Sequence, residues 1–245
     1  MLTVYSGDGH QVVVFRNLTP KGVVQTNQAV FVDHGEALLA DPSGRVVFTR
    51  LLSELNKAVP VSKVKYIFYS HQDPDVVGAA SSWRLAAIGA RVLVSEHWVR
   101  FIPHMFPPQS TDDFYVPVPD EGMEVELGGA RLQLVPTHFL HSPAAFSLYD
   151  TVSRVLFSGD VAASLLPPEE DYDYVEDFDS HVKYMEEFHR RLMASNRACR
   201  AWAEKVRGLA PEAIVPQHGA ILRGRDVVER FLDWLSGLEC GVDLL

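Results

Sequence analysis

Four short apolar runs in this chain each lead into a histidine or an aspartate. Val64–Tyr69 is followed by His71-Gln-Asp-Pro-Asp75, Arg131–Val135 by His138 and His141, Arg154–Phe157 by Asp160, and Ala213–Val215 by His218. Runs of this length, bounded by turn residues, read as buried strands. In open α/β sheets ligands collect beyond the carboxyl ends of the strands, so this pattern sends metal-type side chains to one edge. Unpaired carboxylates resist burial, and a cation would explain why the chain gathers them. Each residue alone has a plainer reading: Asp75 as a helix N-cap, Asp160 as a turn residue, His218 and His138 as structural histidines. Taken together, the plain reading needs four separate coincidences, whereas metal ligation needs one cause.

The rest of the chain sets the frame for that edge. Gln11–Arg16, Gln28–Val32 and Ala37–Ala40 read as strands, and Arg45–Ala58 as a helix with Val46, Val47, Leu51, Leu52 and Leu55 on one face. A helix is expected from about Val76 to Ile88, ended by Gly89, and a strand at Arg91–Val94. After a Pro-rich loop at Phe101–Pro119 come strands near Met123–Leu127, Arg131–Val135, Ala145–Tyr149 and Arg154–Phe157. An acidic loop, Leu166–Asp179, precedes one long helix from about Ser180 to Arg207, and a last helix covers Arg225–Gly237. Strands followed by helices in both halves predict an α/β fold of two packed sheets with helices outside, in one domain over 1–245.

Composition excludes some partners. The net charge of −10 argues against nucleic acid and anionic membranes. No transmembrane run or signal-peptide pattern is apparent. Cys199 and Cys240 have neither metal-ligand nor disulfide-framework spacing, which fits ordinary thiols in a reducing cytoplasm.

His71, Asp73, Asp75, His141, Asp160 and His218 supply three imidazoles and three carboxylates. That is too many for one tetrahedral zinc and suits two ions sharing a carboxylate. Without thiolates, mixed nitrogen and oxygen ligation suits iron or manganese more than zinc, and open positions suit dioxygen chemistry. Two divalent ions, three carboxylates and one bridging hydroxide sum to zero charge, which a partly dry pocket tolerates.

Four motifs carry a resemblance. Ser70-His-Gln-Asp-Pro-Asp-Val-Val-Gly78, Leu140-His-Ser-Pro143, Leu156-Phe-Ser-Gly-Asp160 and Pro216-Gln-His-Gly219 resemble those of the metallo-β-lactamase-fold domain of flavodiiron proteins. Among these, the chain looks closest to the stand-alone oxygen-binding diiron proteins. The resemblance implies an αββα four-layer sandwich, with one iron held by His71, Asp73 and His141 and a second by Asp75 and His218. Asp160 would bridge the two. It places Asp73 where those enzymes usually carry Glu, and Val76 where they usually carry His, leaving an open apolar position at the second iron. His138 becomes a candidate for the layer behind the ligands or for the pocket edge. Asp41 resembles a structural aspartate beneath the metal site, and Tyr184 is a candidate pocket residue. No catalytic residue beyond the ligands is assigned.

A flavodoxin-like domain is not expected after His218, so FMN is not expected in this chain. The implied function is a protein that binds dioxygen as a peroxo-type adduct at two irons, as a sensor or carrier. Phe106, Phe114 and Phe139 are candidate apolar walls. A chemoreceptor or other signalling protein is the partner of that reading. The alternatives are an oxygen or nitric oxide reductase using an external flavodoxin or rubredoxin, and a dinuclear zinc hydrolase. Zinc and manganese fit the same donor set as substitutes, and homodimerisation is left open.

Overall fold

The structure is a computed structural model of the 245-residue chain, in which residues 1–105 and 114–245 are described. Its first sheet has seven strands in chain order: β1 (Leu2–Gly7), β2 (His10–Phe15), β3 (Gln28–Asp33), β4 (Glu36–Ala40), β5 (Val64–Phe68), β6 (Arg91–Ser95) and β7 (Tyr115–Val118). The first four pair antiparallel, and β4 to β7 run parallel. The second sheet is built from β8 (Met123–Leu127), β9 (Ala130–Pro136), β10 (Phe146–Asp150), β11 (Val155–Gly159), β12 (Ala213–Pro216) and β13 (Leu222–Arg223). Its order is β13-β12-β11-β10-β9-β8, with only β11 and β12 parallel.

The strands read as continuous apolar runs because both of their faces are buried. In β2, Val12 and Val14 belong to the core between the sheets, whereas Val13 and Phe15 belong to the core under the first helices. β4 divides in the same way, with Leu38 and Ala40 facing between the sheets and Ala37 and Leu39 toward the helices. Outside the first sheet lie α1 (Arg45–Ala58), α2 (Pro74–Val77) and α3 (Ala80–Ala86), packed through Val47, Leu51, Leu55 and Trp83. Outside the second lie α4 (Phe178–His181), α5 (Glu186–Leu192), α6 (Asn196–Leu209) and α7 (Arg225–Gly237), packed through Phe178, Met185, Trp202, Val206, Phe231 and Leu235. The result is four layers: helices, sheet, sheet, helices. No helix among the described residues is long and apolar enough to cross a membrane.

Four expectations need correction. β1 is an additional strand, hydrogen-bonded to β2 at the sheet edge. β7 lies inside the stretch read as a Pro-rich loop, and its Pro117 is tolerated because β7 is an edge strand. The helix expected over Val76–Ile88 is broken between α2 and α3, where the Gly78 backbone packs against Gly44 just before α1. A Cβ at Gly78 would lie 2.3 Å from the Pro74 carbonyl oxygen and 3.3 Å from the Gly44 Cα. The helix expected over Ser180–Arg207 is also broken. Met193 turns extended, Ser195 caps α6, and Ala194 N–H donates to the Phe139 carbonyl at 3.0 Å. The two thiols, by contrast, are both buried and free, with sulfurs 3.7 Å apart.

Candidate metal centre

All six expected ligands meet at one edge of the sandwich. The loop after β5 carries His71, Asp73 and Asp75, the turn after β9 carries His141, Asp160 follows β11 directly, and His218 comes two residues after β12. The ligand atoms of His71, Asp73 and His141 all lie within 4.8 Å of one another. His71 Nε2 is 3.8 Å from Asp73 Oδ2 and 3.7 Å from Asp160 Oδ2. His141 Nε2 is 2.8 Å from Asp73 Oδ2 and 3.5 Å from Asp160 Oδ2. On the other side, His218 Nε2 is 3.4 Å from Asp75 Oδ2 and 3.5 Å from Asp160 Oδ1. Asp160 therefore divides its oxygens, Oδ2 toward one group and Oδ1 toward the other. Ligand atoms about 2.1 Å from a shared ion stand roughly 3 to 3.5 Å apart, close to most of these separations. The donor set fits two ions.

A layer behind the ligands fixes the imidazoles. The His71 Nδ1 atom is 2.8 Å from Ser70 Oγ, and that hydroxyl donates to Asp41 Oδ2 at 2.6 Å. The Ser70 backbone N–H donates to Asp41 Oδ1 at 2.8 Å. Asp41 is fully buried in a left-handed turn, φ 45°, and burial raises its pKa to about 7, with the charges of Asp160 and Asp75 adding to the rise. It is the aspartate beneath the site, acting through Ser70. His218 Nδ1 donates to the Gln25 carbonyl at 2.8 Å. In both cases Nε2 is left for the centre, the arrangement that ligating histidines adopt. His141 Nδ1 is buried without a partner.

The electrostatics are those of a site that takes cations. Burial pushes the Asp160 carboxyl up, yet the imidazoles of His71, His218 and His141 hold it well below the usual range. Burial pushes His218 down, but its contact with Asp160 outweighs this and raises it to about 9. The hydrogen bond between His141 and Asp73 raises the imidazole and lowers the carboxyl. A metal ion bound here would supply the positive charge that these carboxylates face, in competition with protons.

Several residues fall elsewhere than expected. His138 Nε2 donates to the Asp120 carbonyl at 2.9 Å, and its ring packs edge-on against Phe146. It makes no contact with the ligands. Tyr184 bonds Glu170 through its hydroxyl and Leu165 N–H through its carbonyl, and has no hydrogen bond to the six. Val76 is fully buried in the core under the first helices. Phe114 packs against Tyr115 and Arg84, Phe139 is exposed, and Phe106 lies outside the described residues. Among the described residues, Phe188 of α5 does face the centre, with ring centroids 6.1 Å from His141 and 6.5 Å from His218. Two glutamines beside ligands were also missed: Gln72 donates to Asp73, and the buried Gln217 donates to Asp75. Their only sequence signal is adjacency to a ligand.

Two facing sheets with helices outside, and a His/Asp site at the strand ends, define a metallo-β-lactamase-fold protein. A family model described as ODP family beta lactamase matches residues 24–219, and the chain belongs to that family. A solved structure described as the peroxy diiron species of chemotaxis sensor ODP is 41% identical, with a TM-score of 0.88 over 100% of this chain and 98% of that one. The apo state of chemotaxis sensor ODP from T. denticola is 39% identical, with a TM-score of 0.84 over 99% of this chain and 96% of that one. Rubredoxin-oxygen oxidoreductase of Megalodesulfovibrio gigas is 23% identical over 89% of this chain and 54% of its own length. The chain spans about half the length of the curated relatives it matches, 54% in each case.

Proposed function

We propose that this protein binds dioxygen at a pair of iron ions held by His71, Asp73, His141, Asp160, Asp75 and His218, and serves as a sensor or carrier. The observation that carries the reading is the division of Asp160 between two groups of donors, 3.5 Å and 3.7 Å from imidazoles on one side and 3.5 Å on the other. Likeness at 41% identity to a chemotaxis sensor in its peroxy diiron form supports iron and dioxygen over zinc and hydrolysis. When bound, two ferrous ions supply the two electrons and the open positions that dioxygen needs. The chain's own residues do the rest. Beyond the shared Asp160, His71, Asp73 and His141 would serve one ion, and Asp75 and His218 the other. Phe188 walls both imidazole groups and restricts the approach of water and protons. Asp41 and Ser70 hold the His71 ring in register.

A cytoplasmic setting and a chemoreceptor-type signalling partner accord with this reading. The test is metal analysis of protein grown with iron, with an optical spectrum taken anaerobically and after oxygen. Two irons and a new visible band are expected, and Asp160→Asn should retain at most one iron. Two zincs, or no spectral change, would overturn the proposal. Sustained oxygen consumption with an added flavodoxin or rubredoxin would favour the reductase reading instead.

A further inference from the structure

The two oxygens of Asp73 are committed to different partners. Oδ2 faces the centre, 2.8 Å from His141 Nε2 and 3.8 Å from His71 Nε2. Oδ1 accepts a hydrogen bond from Gln72 Nε2 at 2.9 Å. The same amide accepts from Ser142 Oγ at 2.7 Å through its Oε1. This orientation of the Gln72 amide is forced. An ionised carboxylate only accepts, so turning the amide over would set its oxygen against Asp73 Oδ1. The chain Ser142–Gln72–Asp73 thus joins the loop of His71 to the turn of His141, and Ser142 itself is buried with its carbonyl accepting from Phe139 N–H at 2.9 Å.

Asp75 is held in another way. Gln217 Nε2 donates at 3.2 Å to Oδ2, the oxygen that also faces His218 Nε2. Only at Asp73 does an amide take up the outward oxygen. A carboxylate whose outer oxygen is engaged in this way offers one oxygen to an ion, and chelation by both would require the Gln72 contact to break. One-oxygen ligation leaves a coordination position beside Asp73 that a chelating carboxylate would fill.

We propose that Gln72, braced by Ser142, is a positioning residue that keeps Asp73 a one-oxygen ligand and so holds a coordination position open to a small external ligand such as dioxygen or azide. This rests on the diiron reading above. The brace also compensates for the short side chain at residue 73, because the carboxylate is held inward by its neighbours in place of a longer reach.

The full chain, loaded with iron and oxidised in air, is titrated with azide and followed by its visible charge-transfer band. Metal content is measured on the same samples, for wild type, Gln72→Leu, Ser142→Ala and Ser142→Thr. Gln72→Leu should keep two irons and bind azide about tenfold or more weakly. Ser142→Ala should weaken azide in the same direction, and Ser142→Thr, which restores the hydroxyl, should return it toward wild type. With cobalt in place of iron, Gln72→Leu should show weaker visible absorption, as a rise in coordination number produces. Unchanged azide affinity in Gln72→Leu with two irons bound would overturn the proposal, as would loss of an iron with no change in azide binding, the mark of a merely supporting residue. A wild type that fails to bind two irons would instead remove the diiron reading itself.

Discussion

His10 is the place where the stability of this fold is most open to a quantitative test. Its Nδ1 lies 3.0 Å from Asp33 Oδ1 and its Nε2 lies 2.6 Å from Asp150 Oδ2, with all three side chains buried. Both ring nitrogens donate to carboxylates, which is the imidazolium form. Burial pushes the His10 pKa down, but the two carboxylates outweigh it and the net shift is upward. The triad ties β2 and β3 of one sheet to β10 of the other. It sits at the end opposite the metal ligands, since β3 and β10 run antiparallel to β4 and β11. Removing one partner of a buried ionic group costs about 3–5 kcal/mol. Here the lower end applies to His10→Leu, because neither carboxylate is stranded. Asp33 keeps N–H donors from Gly129 and Ala130 at 2.6 Å and 3.2 Å, and Asp150 keeps those of Val152 and Ser153 at 3.1 Å and 3.2 Å. A loss of about 3 kcal/mol lowers the melting temperature by about 6–12 °C for a chain of this length. Because the folded pKa is raised, this contribution is fully present below the unfolded value of about 6.5 and is lost as pH rises through the folded one. Urea unfolding of metal-free wild type and His10→Leu between pH 6 and 10 measures it. The gap should be widest at the acid end and close toward the alkaline end, with metal binding by the variant unchanged. A gap below about 1 kcal/mol, the size of an ordinary substitution, or a gap independent of pH would refute the reasoning.

Two further substitutions probe the centre. Phe188→Ala removes the ring that faces both His141 and His218. It should leave two irons bound while the oxygen-dependent band decays about tenfold faster, as loss of an apolar wall admits water; a stopped-flow decay equal to wild type would count against the wall. Gly219→Ala puts a Cβ 1.9 Å from Ser164 Oγ and 2.3 Å from the Ser164 carbonyl oxygen, at φ +84°. Strain and overpacking together predict a loss of at least about 2 kcal/mol. Iron binding at the adjacent His218 should weaken as well, read by denaturant midpoint and metal content.

The six candidate ligands could be picked out because each depends on local information: an apolar run sets the strand, and the next residues fall at its carboxyl end. His71, Asp73, Asp75, His141, Asp160 and His218 could be picked out without knowing what lay opposite them. Behind them the resemblance pointed to Asp41, but not to the groups that it and the imidazoles meet. Ser70 meets Asp41 across 29 residues, and His218 meets the Gln25 carbonyl across 193. No periodicity encodes such a pairing. Which of its two candidate places His138 takes was not legible for the same reason: it stands three residues from His141, but the turn between them reverses the chain, with Phe139 and His141 both left-handed at φ 66° and 69°. Spacing along a chain predicts proximity in a helix or a strand, and it fails in a turn built from positive φ angles.

The break in the helix expected over Ser180–Arg207 bears most directly on the site. Within that stretch Ser195 and Asn196 fix the start of α6. The Ser195 side chain accepts from Ala198 N–H, and the Asn196 side chain donates to the carbonyls of Ser236 and Leu238 at 2.8 Å and 2.9 Å. With α6 pinned to the end of α7, the preceding residues leave the helix. Met193 then pairs with Leu140, and Ala194 N–H meets the Phe139 carbonyl. That contact supports a turn whose two left-handed residues each carry a conformational cost, and the turn presents His141. The same break frees α5 to follow its own direction, with His189 accepting from Ala162 N–H at 3.1 Å, two residues beyond Asp160. Phe188, next to His189, is thereby set against the imidazoles. An unbroken helix would forfeit both the support of the His141 turn and the ring over the centre, so the irregular segment at 193–195 is what couples the outer helices to the metal ligands.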